Sequence, residues 1–209
     1  MSQEKVVCRI FEIMGLGIPN MESFANRLKY QKIIYLLQSF GLSLDYGFNW
    51  YLKGPYSSPL ARTLFTIEAT PDIYKESIGL RFKNEDAIIA KLEDFKQKLG
   101  DNINNVLYLE VLASLHYINK AKFSGKGSID DLKYMLYDVK PHLKEEAGID
   151  EIIEKAYKDL SNYTIILSEH YPDKIDLPRH IYDNVHGFIG ITELECKVID
   201  SPFFKDYVE

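Results

Sequence analysis

Histidine and cysteine are the residues best suited to metal binding and nucleophilic chemistry, and this chain has five of the first and two of the second. The histidines are His116, His142, His170, His180 and His186. They form no His-x-x-x-His or His-Asp pair, and Cys8 and Cys196 match neither zinc-ligand spacing nor a disulfide framework. His180 and His186 flank Asp183, so a metal site there stays open on chemistry alone. The pattern as a whole predicts no metal and no bound cofactor.

Motifs for phosphate binding and acyl transfer are also missing from the sequence. Gly15-Leu-Gly-Ile-Pro19 lacks the third glycine and the Lys-Ser/Thr pair of a phosphate loop, and no Gly-x-Ser-x-Gly occurs. Acidic doublets such as Asp130-Asp131 stand at predicted helix starts, where they complement the helix dipole. His116 lies in an apolar stretch, which favours a hydrogen-bonded core histidine. We therefore expect no catalytic residues and no enzymatic activity from this chain alone.

The composition is that of a folded globular protein, with 46% of the 209 residues hydrophobic and 27% charged. The net charge of −6 argues against a general nucleic-acid binder. Residues 1–62 nevertheless carry a net +3 and residues 166–209 a net −5, which fits either different partners or ordinary surface charge. The sequence has no run of about 18 uncharged apolar residues and no secretory signal, so we predict a cytoplasmic protein with reduced cysteines and no membrane contact.

Hydrophobic periodicity predicts a mainly α fold with six or seven helices. The predicted helices cover residues 3–14, 20–40, 57–69, 85–99, 104–118, 128–140 and 149–168. The second helix is apolar on nearly every side in its second half, so we expect it to be central. A strand is predicted over residues 46–52, where aromatic side chains alternate on one face. Residues 72–83 are predicted to form a short extended segment around Gly79.

Cap and turn residues set the predicted helix ends. Asn20 is the predicted N-cap of the second helix. Ser57 or Ser58 is the predicted cap of the next helix, ahead of Pro59 in its first turn. The run from Ser128 to Asp131 predicts a capping box.

A polar stretch between two prolines divides the chain. We predict a helical domain at residues 1–168, a linker at 169–178 and an extended C-terminal arm at 179–209. Apolar residues on either side of His186-Gly187 predict a β-hairpin in the arm.

A set of motifs in residues 26–64 carries a resemblance to a known family. The motifs are Asn26-Arg-Leu-Lys-Tyr-Gln-Lys-Ile-Ile-Tyr-Leu-Leu-Gln38, Gly41, Tyr46-Gly-Phe48, Tyr51-Leu-Lys-Gly-Pro-Tyr-Ser57 and Leu60. They resemble the YwgA-type family of small prokaryotic proteins and, more distantly, the Panacea antitoxin-type domain. The tight match is short, and a looser one extends over residues 1–165. The resemblance implies a helical domain of winged-helix character with a regulatory role.

The winged-helix character would make residues 57–69 the helix that enters a DNA groove. The candidate DNA-binding residues are Lys53, Ser57, Ser58, Arg62, Thr63 and Thr66. Because winged helices usually offer more positive charge than Arg62 alone, protein contact through the same surface is at least as well supported. Tyr46, Trp50 and Tyr56 are candidate contact residues nearby, although the core is the favoured place for them.

Residues 179–204 carry a second resemblance, to the N-terminal part of the HD-superfamily dNTP triphosphohydrolases. The residues that fit are Asp183, His186, Gly187, Ile189, Ile199, Asp200, Ser201, Pro202 and Phe204. Asn184 stands where that family usually has proline. The family's Gln-Arg-Leu-Arg stretch and its metal-binding His…His-Asp…Asp residues do not follow Phe204 in this sequence. The resemblance therefore implies no dNTP hydrolysis by this chain alone.

Together the two resemblances imply a non-catalytic regulatory or interaction module associated with an HD-domain phosphohydrolase. The candidate contact residues of the arm are Asp183, His186, Phe188, Phe203 and Phe204. Its phenylalanines also predict a homo-oligomer that forms through the arm. The alternatives are a winged-helix DNA-binding regulator or an antitoxin-like protein and, as a further alternative, a metal-dependent phosphohydrolase.

Overall fold

The computed structural model describes residues 2–164, and the predicted linker and C-terminal arm lie outside this part. Within it the chain forms eight α-helices and one antiparallel β-hairpin. In chain order the elements are α1 (Gln3–Met14), α2 (Phe24–Ser39), β1 (Asn49–Tyr51), β2 (Gly54–Tyr56), α3 (Ser58–Ala69), α4 (Pro71–Ser77), α5 (Glu85–Leu99), α6 (Val106–Phe123), α7 (Ile129–Val139) and α8 (Ile149–Thr164). The prediction of a mainly α fold with a small β element is confirmed.

Two buried helices, α2 and α6, form the centre of the described part. All residues from Tyr30 to Phe40 are buried, and so are all residues from Tyr108 to Asn119. Helix α6 packs against α2, α7, α8 and the hairpin, while α1 packs against α3, α4 and α5. A helix that is apolar on nearly all sides has to be covered on all sides, which explains the central position predicted for α2.

Polar side chains of α2 hold the segment around the hairpin by its backbone. Gln38 accepts a hydrogen bond from the N–H of Tyr46 at 3.0 Å and donates one to its carbonyl oxygen at 2.9 Å. Gln31, two turns earlier on the helix, makes the same pair of bonds with Ser57, both at 2.9 Å. These amides satisfy backbone groups in a buried place, so the polar residues of the α2 motif fix the position of the hairpin.

The start of α2 differs from the prediction. Ser23 is the N-cap instead of Asn20, and its hydroxyl accepts a backbone N–H three residues further on at 3.1 Å. Asn20 Oδ1 accepts the N–H of Glu22 at 3.1 Å, in a turn that precedes the helix. The N–H of buried Met21 donates to Glu68 Oε1 at 2.6 Å. This non-local contact keeps the turn out of the helix.

Residues 72–83 contain a helix where an extended segment was expected. Helix α4 covers Pro71–Ser77, and Gly79 follows with a φ of +73°. Proline suits the first turn of a helix, and packing against α1 and α3 stabilises a helix too short to form alone. Helix α6 also continues to Phe123, past its predicted end.

Several predicted helix ends are confirmed. Helices α1 and α5 have their predicted bounds. Ser57 caps α3, with Pro59 in the first turn. Ser128 and Asp131 form the predicted capping box of α7.

Gly54 begins β2 with a φ of +85°, a conformation that side-chain-bearing residues rarely adopt. A Cβ at this position would lie 2.5 Å from Ser114 Oγ, well inside van der Waals contact. We expect Gly54→Ala to lower the free energy of unfolding by about 3 kcal/mol in urea denaturation, because backbone strain and steric overlap add.

Gly79 provides the matched control, because its φ is +73° and a Cβ there would meet nothing within 4 Å. Gly79→Ala should cost only the backbone strain, about 1 kcal/mol. Adding Ser114→Ala to Gly54→Ala should recover part of the loss. Equal losses of unfolding free energy for the two glycine variants would show that steric overlap with Ser114 does not destabilise Gly54→Ala.

Candidate functional site

Two of the candidate DNA-binding residues belong to the core. Ser57 is 1% exposed, and its hydroxyl accepts the N–H of Leu60 as the cap of α3. Thr63 is 5% exposed and accepts a hydrogen bond from the hydroxyl of Tyr46 at 3.1 Å. These two hydroxyls serve the fold, and their burial keeps them away from a nucleic acid.

The solvent side of α3 carries Arg62 and Thr66, with Ser58 half-buried at its start. Lys53 precedes the helix, but its Nζ lies 3.0 Å from His142 Nε2 and is engaged within the protein. Helix α3 therefore offers one guanidinium group to a duplex. DNA binding draws much of its affinity from several phosphate contacts. The single exposed guanidinium group on α3 therefore gives a duplex little positive charge to bind.

The aromatic candidates divide between core and surface. Tyr46 and Tyr56 are buried, as expected for core residues, and Trp50 is half-buried. The exposed apolar surface of the hairpin comes from Tyr51 and Leu52 at its turn, which are 39% and 47% exposed. We call these two residues the hairpin tip.

The candidate contact residues of the arm lie outside the described residues. They are Asp183, His186, Phe188, Phe203 and Phe204. Their role in contact, the metal site left open beside them and the expected self-association stay predictions.

A cluster of chemically capable side chains, which the sequence motifs do not reveal, lies where the hairpin meets α2, α6 and the end of α7. It consists of Lys32, Lys53, Glu110, Ser114, Lys140 and His142, and we call it the lysine cluster. One signal in the sequence could have found it. Lys32 is a lysine within the most apolar part of α2, where its charged side chain cannot reach water.

Glu110 is the carboxylate at the centre of the lysine cluster and is 3% exposed. Lys140 Nζ donates to Glu110 Oε1 at 2.6 Å, and Lys53 Nζ lies 3.8 Å from Glu110 Oε2. His142 Nε2 lies 3.9 Å from Glu110 Oε1. Lys140 Nζ also lies 5.6 Å from the ring centroid of Trp50, within range of a cation–π contact. The arrangement is a buried ion pair with further basic groups around it.

Burial lowers the pKa values of the two inner lysines. Desolvation, assisted by the charge of Lys140, holds the pKa of Lys32 well below its ordinary value. Desolvation lowers the pKa of Lys140 to about 8, although Glu110 opposes the shift. Desolvation and the charge of Lys53 also lower the pKa of His142, so its ring is mainly neutral at neutral pH.

Gly54 lets the backbone of the hairpin approach the lysine cluster closely. The place that a Cβ would take at Gly54 lies 2.5 Å from Ser114 Oγ, 3.4 Å from Lys140 Nζ and 3.6 Å from Lys32 Nζ. Three polar groups therefore converge on one small space. Ser114 is fully buried, and its hydroxyl has no hydrogen-bond partner among the described residues, which is uncommon for a buried polar group.

His116 is the core histidine that the sequence predicts. Its Nδ1 shares a hydrogen bond of 2.8 Å with the hydroxyl of Tyr35. The residue is 2% exposed, and burial lowers its pKa to about 3, so the ring is neutral. Across residues 2–164, no three His, Cys, Asp or Glu side chains come together as a metal site. In the same range, no helix is both long and apolar enough to cross a membrane.

No family model, curated protein or solved structure matches this chain. The chemistry of the candidate site therefore rests on the geometry of the lysine cluster, and the two family resemblances rest on the sequence motifs.

The pKa of Lys140 generates a prediction of pH-dependent stability. This pKa is about 8 in the folded protein and 10.5 for an unperturbed lysine, so between these values the unfolded chain holds more protons. The free energy of unfolding should therefore rise as the pH increases from about 8 to about 10. Lys140→Met should reduce this rise in urea denaturation without abolishing it, because burial also lowers the pKa values of Lys32 and Lys120. Lys144→Met, at an exposed position, should leave the rise unchanged. An unchanged profile for Lys140→Met would contradict the prediction.

Replacing the carboxylate of Glu110 should lower the free energy of unfolding by an amount that depends on the protonation of Lys140. Glu110→Gln leaves a buried charge on Lys140 without a counter-charge, so we expect a loss of about 3 kcal/mol in the free energy of unfolding at about pH 7. The loss should shrink at about pH 9.5, where Lys140 is mainly neutral. As a control, Asp94→Asn breaks a surface pair with Lys98 and should change this free energy by less than about 1 kcal/mol. The same loss for Glu110→Gln at both pH values would refute a charged Lys140.

Proposed function

We propose that this chain is a cytoplasmic, non-catalytic contact module that regulates or recruits an HD-domain phosphohydrolase of the dNTP triphosphohydrolase type. The resemblance of residues 179–204 to the N-terminal part of these enzymes supports the choice of partner. The construction of the hairpin supports contact as the mode of action.

The observation that carries the proposal is that the hairpin is anchored at its backbone while its tip is exposed. Gln31 and Lys32 bind backbone groups of Ser57 and Pro55. The hairpin tip, in contrast, leaves a large fraction of both its side chains in water. The polar residues of the α2 motif thus position an apolar surface for contact.

The exposed side chains of the hairpin tip suit a partner with an apolar surface. Full burial of Tyr51 and Leu52 would contribute about 1.5–3 kcal/mol for each side chain. Tyrosine is also among the residues that carry most of the binding energy at interfaces.

Binding of the full chain to the HD-domain phosphohydrolase from the same organism tests the proposal. We expect micromolar or tighter binding in surface plasmon resonance, together with a changed rate of dNTP hydrolysis by the enzyme. Leu52→Asp should weaken the binding at least tenfold, because it places a charge in an apolar contact.

Tyr134→Asp is the matched control, because Tyr134 is an exposed apolar residue on α7, at 72% exposure. This variant should bind as the unaltered chain does. An equal loss in both variants would refute the hairpin tip as the contact surface. No binding and no change in hydrolysis would refute the proposed function as a whole.

The exposed Arg62 and Thr66 on α3 favour DNA binding as the second candidate function. A gel-shift assay with random-sequence duplex at low salt tests it. If α3 enters a groove, Arg62→Ala should weaken binding and reduce the salt dependence by about one phosphate contact. No shift at micromolar protein would exclude this function.

A further inference from the structure

The outer contact between the hairpin and the lysine cluster requires a neutral histidine. Lys53 Nζ lies 3.0 Å from His142 Nε2, and an ammonium group can only donate to this nitrogen. A proton on Nε2 turns the contact into a repulsion between two cations. Desolvation and the charges of Lys53 and Lys140 lower the pKa of His142 from its ordinary value of 6.5. The carboxylates of Glu110 and Glu146 act in the opposite direction without reversing this shift.

The inner contact requires a neutral amine. Lys32 is 1% exposed, and its Nζ donates to the carbonyl oxygen of Pro55 at 2.7 Å. Desolvation and the charge of Lys140 hold the pKa of Lys32 well below its ordinary value. Lys53 adds to this shift, and Glu110 opposes it. A proton on Lys32 would place a further buried cation beside a carboxylate that Lys140 already occupies.

Close packing at Gly54 prevents a counter-ion from joining the cluster. A Cβ there would lie 2.5 Å from Ser114 Oγ, so the hairpin backbone and α6 are already in contact. The same Cβ would lie 3.6 Å from Lys32 Nζ, which places the hairpin directly over this amine. A charge on Lys32 therefore needs water, and movement of the hairpin away from α2 admits it.

The hairpin is a segment that can move between two fixed ends. Gln38 binds the backbone of Tyr46 before it, and Gln31 binds the backbone of Ser57 after it. Between these residues lie two strands of three residues, which are too short to resist displacement by themselves. Residues 49–56 can therefore leave the cluster while α2 and α6 keep their places.

We propose that the hairpin is an acid-sensitive element, in which protons on His142 and Lys32 break its outer and inner contacts and residues 49–56 move away from α2 and α6. Both groups bind a proton more tightly when the hairpin is open, so a falling pH favours the open form. The closed form is complete at neutral pH, where both nitrogens are neutral. This behaviour belongs to the hairpin and does not depend on an HD-domain enzyme as the partner.

Trp50 reports on the hairpin directly, because it is the only tryptophan of the chain and lies half-buried in β1. Its ring centroid lies 5.5 Å from that of Tyr117 on α6. Acrylamide quenching of the full chain measures the exposure of Trp50, and far-ultraviolet circular dichroism measures the helices at the same pH. We expect the quenching constant to rise between about pH 7 and about pH 5 at constant helix signal, with an opening equilibrium that changes up to about tenfold per pH unit for each proton taken up.

His142→Gln tests the outer contact, because the amide oxygen can accept from Lys53 and takes up no proton. The quenching transition should move to lower pH and become less steep, since it loses one proton. Lys144→Gln is the matched control, because it changes an exposed side chain two positions further on. Its transition should coincide with that of the unaltered chain.

Lys32→Met tests the inner contact and should also move the transition to lower pH. Its matched control is Lys91→Met, because Lys91 is half-buried and its Nζ donates to the carbonyl oxygen of Gly41 at 2.9 Å. If Lys32→Met does not fold, Lys140→Met replaces it: without the facing cation, Lys32 accepts its proton in the closed form and the hairpin stays closed to lower pH. No rise in quenching before the helices unfold would overturn the proposal. A transition that neither His142→Gln nor the inner variant shifts would overturn it as well.

Discussion

The hydrogen bonds from α2 to the hairpin are the interaction on which the rest of the described structure depends. Strands of three residues are too short to hold a hairpin together in water. Gln31 and Gln38 provide four hydrogen bonds to backbone groups near the two ends of the segment, and Lys32 provides a fifth. Because these backbone groups are buried, their partners decide where the hairpin lies against α2 and α6.

This arrangement draws two amino groups into the core. Lys32 reaches the hairpin backbone only by leaving water, and Lys140 enters from the end of α7 to meet Glu110. A buried ion pair contributes little net stability compared with apolar packing, but losing one partner is costly. The lysine cluster therefore does more to specify how α2, α6, α7 and the hairpin meet than to raise the stability of the fold.

The sequence predicts elements whose pattern is local and misses what depends on distant contacts. Helices α1 and α5 show a clear 3.6-residue period and a glycine stop. Helix α4 is too short to show a hydrophobic period, and the proline and glycine around it are as typical of a loop as of a helix. Ser57 and Thr63 are typical of a DNA surface in sequence, yet capping and core hydrogen bonds require the same residue types. Of the lysine cluster, only Lys32 carries a signal, because its partners come from segments far apart in the chain.

The hairpin tip and the lysine cluster share one short loop. Leu52, Lys53 and Gly54 are consecutive, so one segment carries the exposed apolar residue, the outer cation and the glycine. Lys53 Nζ lies 3.8 Å from Glu110 Oε2 and 3.0 Å from His142 Nε2, so the side chain that follows the tip is engaged with the lysine cluster. The short loop therefore places the exposed apolar surface directly beside the outer cation of the lysine cluster.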